Sequence, residues 1–307
     1  MKIHVQSIRF PLLSARKTIQ MSKNFLDCVA CHSSKVRKID LEGYQIFTCS
    51  NCRLQWANGK VVHRGKPSTF NLHYMSKESI GDLNNYEPYQ KFFEYIENFY
   101  QNRSLRILDI GCGSGSFVEY ALYRGHDCMG IEMDNDLEQT LPENIRQKIK
   151  ITSIENFQFG EVKPFDIITF WDCFEHLQFP FQILDKIKPG LNTNGTVYLR
   201  VNNRWDVYNL ATDFLRYVSL KLHKKVLIHC FASEGISPHY WNFSKQAMFT
   251  ILERKGWIFT RYRFTETPAR RLTNNKFLIF IFNCAYAINK MIRGGKSAEY
   301  YIRKKQS

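Results

Sequence analysis

No stretch of this 307-residue chain is apolar enough to span a bilayer. Its longest unbroken apolar run is Phe277 to Phe282, and Asn283 interrupts the continuation to Ile288, well short of the roughly 20 residues a spanning helix needs. A secretory leader is also missing, because Lys2, Arg9, Arg16 and Lys17 recur without an apolar core between them. These two absences predict a cytoplasmic protein that would meet a membrane only at its inner face. No internal repeat is visible. Acidic residues are scarce: 28 Asp and Glu stand against 43 Lys and Arg, a net charge of +15. From Arg261 onward eleven Lys or Arg face only Glu266 and Glu299, so +9 of that excess lies in the last part of the chain. Such asymmetry favours an anionic partner (nucleic acid, a phosphorylated substrate or a membrane surface) unless it is simply a solvated basic face. What is plentiful is apolar and aromatic: 44% hydrophobic and 15% aromatic residues exclude disorder as the main state. The length suits one domain of catalytic size plus a small module.

Cysteine is abundant and patterned. Cys28, Cys31, Cys49 and Cys52 form two C-x2-C pairs seventeen residues apart. Each pair places two sulfurs on one tight turn, and two turns close a tetrahedron, the arrangement of a four-thiolate zinc site in a reducing compartment. Val36, Ile39, Tyr44, Ile46 and Phe47 alternate around Gly43, which predicts a hairpin carrying the second turn. The segment looks like a zinc ribbon with a structural metal, although His32 and Arg53 stand where such turns commonly have glycine. Two disulfides or four idle thiols are the alternatives. The other cysteines, at 112, 128, 173, 230 and 284, have no ligand spacing and are expected as buried apolar residues.

Around this module the chain divides into an extension over 1–24, of which the first twenty residues read as loose or as upstream of the real start. The ribbon follows over 25–58, then a linker and leading helix over 59–104, in which Phe92, Phe93, Ile96 and Phe99 recur at helical spacing. From Leu105 strand and helix alternate: LRILDI, helix 116–124, DCMGIE, helix 134–148, IKIT, FDIITFW, helix 179–188, GTVYLRV, a helix ending near Lys255, and GWIFTRYRF. That rhythm implies an α/β fold with a parallel sheet covered by helices on both faces. Two insertions, 205–232 and 275–293, interrupt it. The first carries Val207, Leu210, Phe214, Val218 and Leu222 on one side, and the second is bracketed by Asn274–Asn275 and Gly294–Gly295, which are helix start and stop signals. AEYYIRKK reads as a last edge strand.

LDIGCGSGSF sets Gly111, Gly113 and Gly115 between a strand and a helix, where small residues let a ligand approach the backbone. Asp109 ends the strand two residues before the first glycine. A fixed carboxylate there repels a pyrophosphate and attracts an ammonium-bearing ligand. Glu132 ends the next strand and can accept hydrogen bonds from ribose hydroxyls. Together with GIEMD, FDIITFWDCFEHLQFP and IKPGLNTNGTVYLRVNN, this order resembles the class I S-adenosylmethionine-dependent methyltransferases over roughly residues 90–305. The resemblance implies a Rossmann-like seven-stranded methyltransferase sheet whose last strand is antiparallel. It also implies a pocket for S-adenosyl-L-methionine from Asp109, Gly111, Cys112, Gly113, Gly115, Glu132, Met133, Ser153, Ile154, Glu155 and Trp171, with the adenine near residues 153–155. The likeness is greatest to the branch with EHL-x-x-P after strand four, some members of which carry a cysteine ribbon and act on sugars or polysaccharide precursors; quinone O-methyltransferases share EHL without the ribbon.

A hydroxyl acceptor needs a base, and His176 is the first candidate because it lies at the cleft lip with an ordinary pKa near neutrality. Glu175 would orient it, Asp172 would contact the cofactor or polarise the acceptor, and His239 and Tyr240 are second candidates. Packing or helix capping is the competing role for each. The expected acceptor is a small molecule, most simply a nucleotide- or lipid-linked glycan. RNA is the second choice, although no N-P-P-Y-like motif is present, and a silent cofactor-binding module is the third. Acceptor atom and oligomeric state are not legible.

Overall fold

The computed structural model describes residues 27–41, 43–59, 86–141, 143–231, 239–269 and 273–306. The extension over 1–24, the linker after Gly59 and the end of the first insertion lie outside the described residues. The cysteine module opens with the hairpin β1 (Val36–Leu41) and β2 (Tyr44–Cys49), whose turn takes Gly43 to a φ of +85°, followed by β3 (Gln55–Gly59). Alternation decides which face is covered, so Ile46 and Phe47 sit in two different hydrophobic clusters on opposite faces of β2.

The leading helix α1 (Glu87–Phe99) starts with Pro88 in its first turn and buries Phe92, Phe93 and Ile96, leaving Phe99 exposed. The main fold then runs β4 (Arg106–Ile110), α2 (Ser116–Tyr123), β5 (Asp127–Glu132), α3 (Glu143–Arg146), β6 (Ile149–Ile151), β7 (Phe165–Trp171), α4 (Pro180–Lys186) and β8 (Leu191–Asn202). The first insertion forms α5 (Val207–Val218) and α6 (Leu220–Phe231), after which come β9 (Trp241–Asn242), α7 (Lys245–Arg254), β10 (Trp257–Thr265), α8 (Lys276–Met291) and β11 (Ser297–Lys304). Seven strands pair in the order β10-β11-β8-β7-β4-β5-β6, with β11 antiparallel to both its neighbours. This is the α/β Rossmann-like methyltransferase fold that the family resemblance implies, with the helix-covered parallel strands that the strand rhythm predicts.

Three expectations are corrected. The single helix over 134–148 is instead a 3-10 turn (Asn135–Thr140) and the short α3, because proline follows Leu141 in the sequence and forces that residue into an extended conformation. AEYYIRKK is not an edge strand: β11 lies between β8 and β10, and its buried run from Ser297 to Ile302 needs cover on both faces, while half-exposed β10 takes the edge. Cys284 is exposed rather than buried.

On two of the inserted helices, α5 and α8, the buried side is the polar one, whereas α6 buries Leu227 and Phe231. On α5 the buried residues are Asn209 and Thr212, while Phe214, Tyr217 and Val218 are exposed, as is Leu222 on α6. On α8 the only buried residue is Asn289, although Asn275 caps the helix as its position predicts, accepting hydrogen bonds from Phe277 N and Leu278 N. The polar faces turn inward because they are already partnered. Asn289 Oδ1 accepts from Val207 N at 2.7 Å, Asn289 Nδ2 donates to Glu266, and Asn209 bridges Asn203 O and Asn242.

The cysteine module is joined to the main fold through β9, which pairs antiparallel with β3 (Trp56 opposite Trp241). Ser244 Oγ donates to Cys52 O, and Arg254 donates to Ala30 O at 2.8 Å. Among the described residues no helix is long and apolar enough to cross a membrane.

Candidate functional site

In a parallel sheet the loops after the strand carboxyl ends all face one way, so residues far apart in sequence converge there. β4 delivers Asp109 level with Gly130 of β5 and Thr169 of β7. Its buried carboxylate accepts a hydrogen bond from Thr169 Oγ1 at 2.7 Å. Burial pushes the Asp109 pKa up to about 8, with the nearby Glu132 carboxylate adding to the rise and Thr169 opposing it. The loop that follows turns through Gly111, Gly113 and Gly115, all with positive φ. A Cβ on Gly111 would lie 2.4 Å from Cys173 Sγ, and one on Gly115 would lie 2.6 Å from Ile149 Cδ1, so only glycine fits.

Glu132, at the end of β5, accepts three backbone N–H groups: Gly113 at 2.9 Å, Met133 at 2.7 Å and Asp134 at 3.1 Å. A carboxylate has about four acceptor positions, so one stays open to a ligand hydroxyl. Among the other expected pocket residues, Ile154 is buried, Ser153 and Glu155 flank it beyond β6, and Met133 is exposed. Trp171 packs its ring against Tyr89, Phe92, Phe117 and Tyr198. Burial raises the Cys112 and Cys173 thiols well above their ordinary range, which disfavours the thiolate form of both. A 430 Å³ cavity lined by Arg106, Asp127, Lys148 and Phe165 lies at the amino ends of the strands, away from these residues.

Beyond β7, Asp172 adopts a φ of +49° and forms an ion pair with the buried Arg200 of β8, which also donates to Thr267 Oγ1 at 3.2 Å. Glu175, in the 3-10 turn Phe174–His176, is fully buried. Its Oε1 accepts from Asn202 N at 3.1 Å, its Oε2 has no partner, and burial raises its pKa to about 7. The rings of His176 and His239 lie 4.5 Å apart between centroids. His239 Nδ1 donates to Cys230 O at 2.9 Å, which leaves Nε2 to accept from Asn202 Nδ2 at 3.2 Å. Burial lowers its pKa, so this ring is neutral at pH 7. Ligand atoms of Glu175, His176 and His239 all lie within 4.8 Å of one another. Such a trio can hold a metal ion, but here both His239 nitrogens are engaged, and the geometry suits proton transfer better. Tyr240 contributes its backbone N–H to Glu175 O at 3.0 Å.

Sequence reasoning named both histidines and the glutamate but missed Thr169, Arg200 and Asn202. The available signal was a polar residue at or near the end of an otherwise apolar strand, in FDIITFW and YLRVNN.

The four cysteines of the N-terminal module converge, with Cys28 Sγ 3.4 Å from Cys52 Sγ and Cys31 Sγ 3.6 Å from Cys49 Sγ. A disulfide requires about 2.05 Å, whereas sulfurs at about 2.3 Å from a tetrahedral zinc lie roughly 3.8 Å apart. The cage therefore fits zinc and not two disulfides. Cys52 N also points at Cys49 Sγ (3.4 Å), and the bond between Cys28 and Cys52 holds the Cys28 thiol low and the Cys52 thiol high. His32 and Arg53 accept the left-handed conformation at φ +55° and +63° that glycine usually fills.

Residues 83–262 match the family model described as a methyltransferase domain. Similar curated proteins are ubiquinone biosynthesis O-methyltransferases. That of Methylococcus capsulatus is 28% identical over 32% of this chain and 44% of its own length, and that of Xanthomonas axonopodis pv. citri 24% identical over 50% and 62%. The chain thus spans less than two thirds of the length of these two relatives. That of Hydrogenovibrio crunogenus is 25% identical over 61% of this chain and 80% of its own. Among solved structures, a SAM-dependent methyltransferase from Archaeoglobus fulgidus aligns with a TM-score of 0.49 at 16% identity, covering 77% of this chain and 99% of its own. The plantazolicin methyltransferase BpumL in complex with SAH aligns with a TM-score of 0.46 at 18% identity, covering 78% and 95%.

The fit of the cysteine cage to a metal is measurable. Native mass spectrometry of the chain is expected to show a single bound zinc ion, lost when Cys28 and Cys52 are both changed to Ser. That loss should lower the thermal midpoint, since metal binding in so small a module is folding free energy.

Proposed function

This chain belongs to the methyltransferase domain family, and we propose that it transfers a methyl group from S-adenosylmethionine to a hydroxyl of a small acceptor, a sugar carried on a nucleotide or a lipid. The observation that carries the reading is the cluster of Glu175, His176, His239 and Asn202 beside the glycine loop. Gly111 and Cys173 approach so closely that a cofactor over the loop and an acceptor over the EHL turn would be neighbours. S-adenosylmethionine supplies a methyl carbon activated by its sulfonium, so the protein must mainly align the acceptor and take its proton. His176 receives that proton. The imidazolium then lies within 4.8 Å of a Glu175 oxygen, and neutral His239, fixed by Cys230 O and Asn202, does not compete for it. Asp109 faces the ammonium group of the cofactor, and Glu132 its ribose. The four thiolates of Cys28, Cys31, Cys49 and Cys52 hold a structural zinc.

The exposed apolar faces of the insertions support a lipid-linked acceptor. Phe277, Phe280 and Met291 are 69%, 64% and 81% exposed, and Lys290 and Arg293 lie near them in the chain. α5 and α8 meet through Asn289 and the Val207 N–H, a polar contact that leaves those faces open. An anionic bilayer would cover them.

Three outcomes are expected. Ligand-free Asp109, with its pKa near 8, is mostly protonated at pH 7, and only its ionised form attracts an ammonium. Cofactor binding therefore expels a proton, and affinity should rise with pH, by up to tenfold per unit, until about pH 8. Calorimetry across pH 6 to 9 is expected to show this rise in the native chain and its disappearance in Asp109→Asn.

Glu175→Gln and His176→Ala should leave cofactor affinity intact and lower turnover about 100-fold, the scale of lost general-base catalysis. The measurement is transfer of labelled methyl from S-adenosylmethionine to nucleotide sugars and lipid-linked glycans. If no such acceptor takes up label, the sugar assignment falls.

Finally, the chain should sediment with anionic liposomes and be released by salt, with weaker binding once Lys224, Lys225, Lys290 and Arg293 are neutralised. Failure to sediment at low salt would assign a soluble acceptor.

A further inference from the structure

We propose that the cleft between the cysteine module and α5 is a subsite for the phosphate or diphosphate of the acceptor, anchored by Arg204; this rests on the methyl-transfer reading above and specifies its substrate. The cleft has a volume of about 360 Å³, and Arg37, Arg53, Arg204, Asp213, Arg216 and Tyr217 line it. Four guanidinium groups face a single carboxylate. Asp213 is shared, accepting from Arg53 at 3.2 Å on one oxygen and from Arg204 on the other. It positions two of the four arginines and leaves an excess of three positive charges in the cleft.

Arg204 points most directly to a ligand. It is 2% exposed, yet its Nε and Nη1 have no hydrogen-bond partner. Leaving two charged N–H groups buried and unpaired is costly, and a phosphoryl oxygen bonded to either one lowers that cost through a short charge-assisted bond. Arg53 is held at the cleft from two sides, by Asp213 and by the Trp205 ring, whose centroid lies 4.8 Å from its guanidinium. The cleft is connected to the candidate site along the chain. Arg204 follows, two residues on, the Asn202 that links Glu175 to His239, so a phosphoryl group held by Arg204 would bring the sugar attached to it towards the proposed base.

The test is calorimetric titration of the full chain in its metal-bound state at low salt with inorganic pyrophosphate and with uridine diphosphate. Saturable binding of both is expected. It should weaken about tenfold or more in the double variant Arg37→Gln/Arg216→Gln and in Arg204→Lys, which keeps the charge but loses the fork. The double variant Lys91→Gln/Lys163→Gln, away from the cleft, should bind as the native chain does. Unchanged S-adenosylmethionine affinity in each variant reports an intact fold. Uridine diphosphate identifies a soluble source if it displaces pyrophosphate more effectively than vesicles bearing phosphatidic acid do, and such vesicles identify a lipid source if the order is reversed. No pyrophosphate binding by the native chain, or equal binding by the arginine variants, overturns the proposal. So does a short single-stranded RNA that outcompetes pyrophosphate and loses affinity in the same variants, since the cleft would then be a nucleic-acid track. Pyrophosphate binding that depends on these arginines, without methyl transfer to any sugar, would keep the subsite and reject the sugar assignment.

Discussion

Burying the polar carboxyl end of β8 with a partner for each side chain, even though Arg204 Nε and Nη1 stay unpaired, is the constraint on which the site, the insertions and the docking of the cysteine module all depend. Buried polar groups need partners, and β8 sends out four in quick succession. Arg200 takes Asp172 and Thr267. Asn202 takes Glu175 through its N–H and His239 through its amide. Asn203 donates to Trp205 O and Gly295 O, tying the two insertions to one point. Arg204 takes Asp213 of α5 and, through it, Arg53 of the cysteine module. Each pairing recruits a different part of the chain, so the strand end acts as a hub. Losing any one partner would leave a buried charge or amide unpaired, at about 1 to 3 kcal/mol or more for a charged group.

The same requirement explains why two of the inserted helices, α5 and α8, are inside out. Helix packing normally buries the apolar stripe. Here the inward face of α5 supplies Asn209 and Asp213 to the hub, and that of α8 supplies Asn289, which bonds the Val207 N–H of α5. Their aromatic and aliphatic residues are left facing outward. Exposed clusters of that size are uncommon on a monomer unless something covers them, so the polar network at β8 and the surface chemistry of the insertions have one cause.

Features fixed by neighbours in sequence were legible. The glycine loop, the cysteine spacing, the Asn275 cap and the break at Gly294–Gly295 each depend on a few adjacent residues. Features fixed across the sheet were not. Nothing local to AEYYIRKK says that β11 inserts between β8 and β10, because its cover is supplied by other segments. The proline after Leu141 was visible and should have split the expected helix over 134–148. For the insertions, period and polarity were read correctly, but the direction of burial depends on Asn203, Asp206 and Arg204, which lie outside the helical periodicity. At the candidate site, EHL gave Glu175 and His176, whereas His239 gained its place only through Asn202, a contact between residues 37 positions apart.

The cysteine module thereby acquires a role beyond compactness. A metal cage needs little more than its two turns, yet this module extends β3 to pair with β9, a strand that lies between His239 and the cap of α7. Ser244 donates to Cys52 O while its side chain also caps α7 by accepting from Ala247 N. Arg53, directly after the last cysteine, reaches Asp213 from a backbone conformation that the cysteine turn imposes. Disturbing the cage would therefore first move Arg53 and β9, and through them the carboxylate that positions Arg204 and the segment that carries His239. The cysteine cage and the site at the carboxyl end of β8 are thus mechanically continuous, joined by the β3–β9 strand pair and one shared carboxylate.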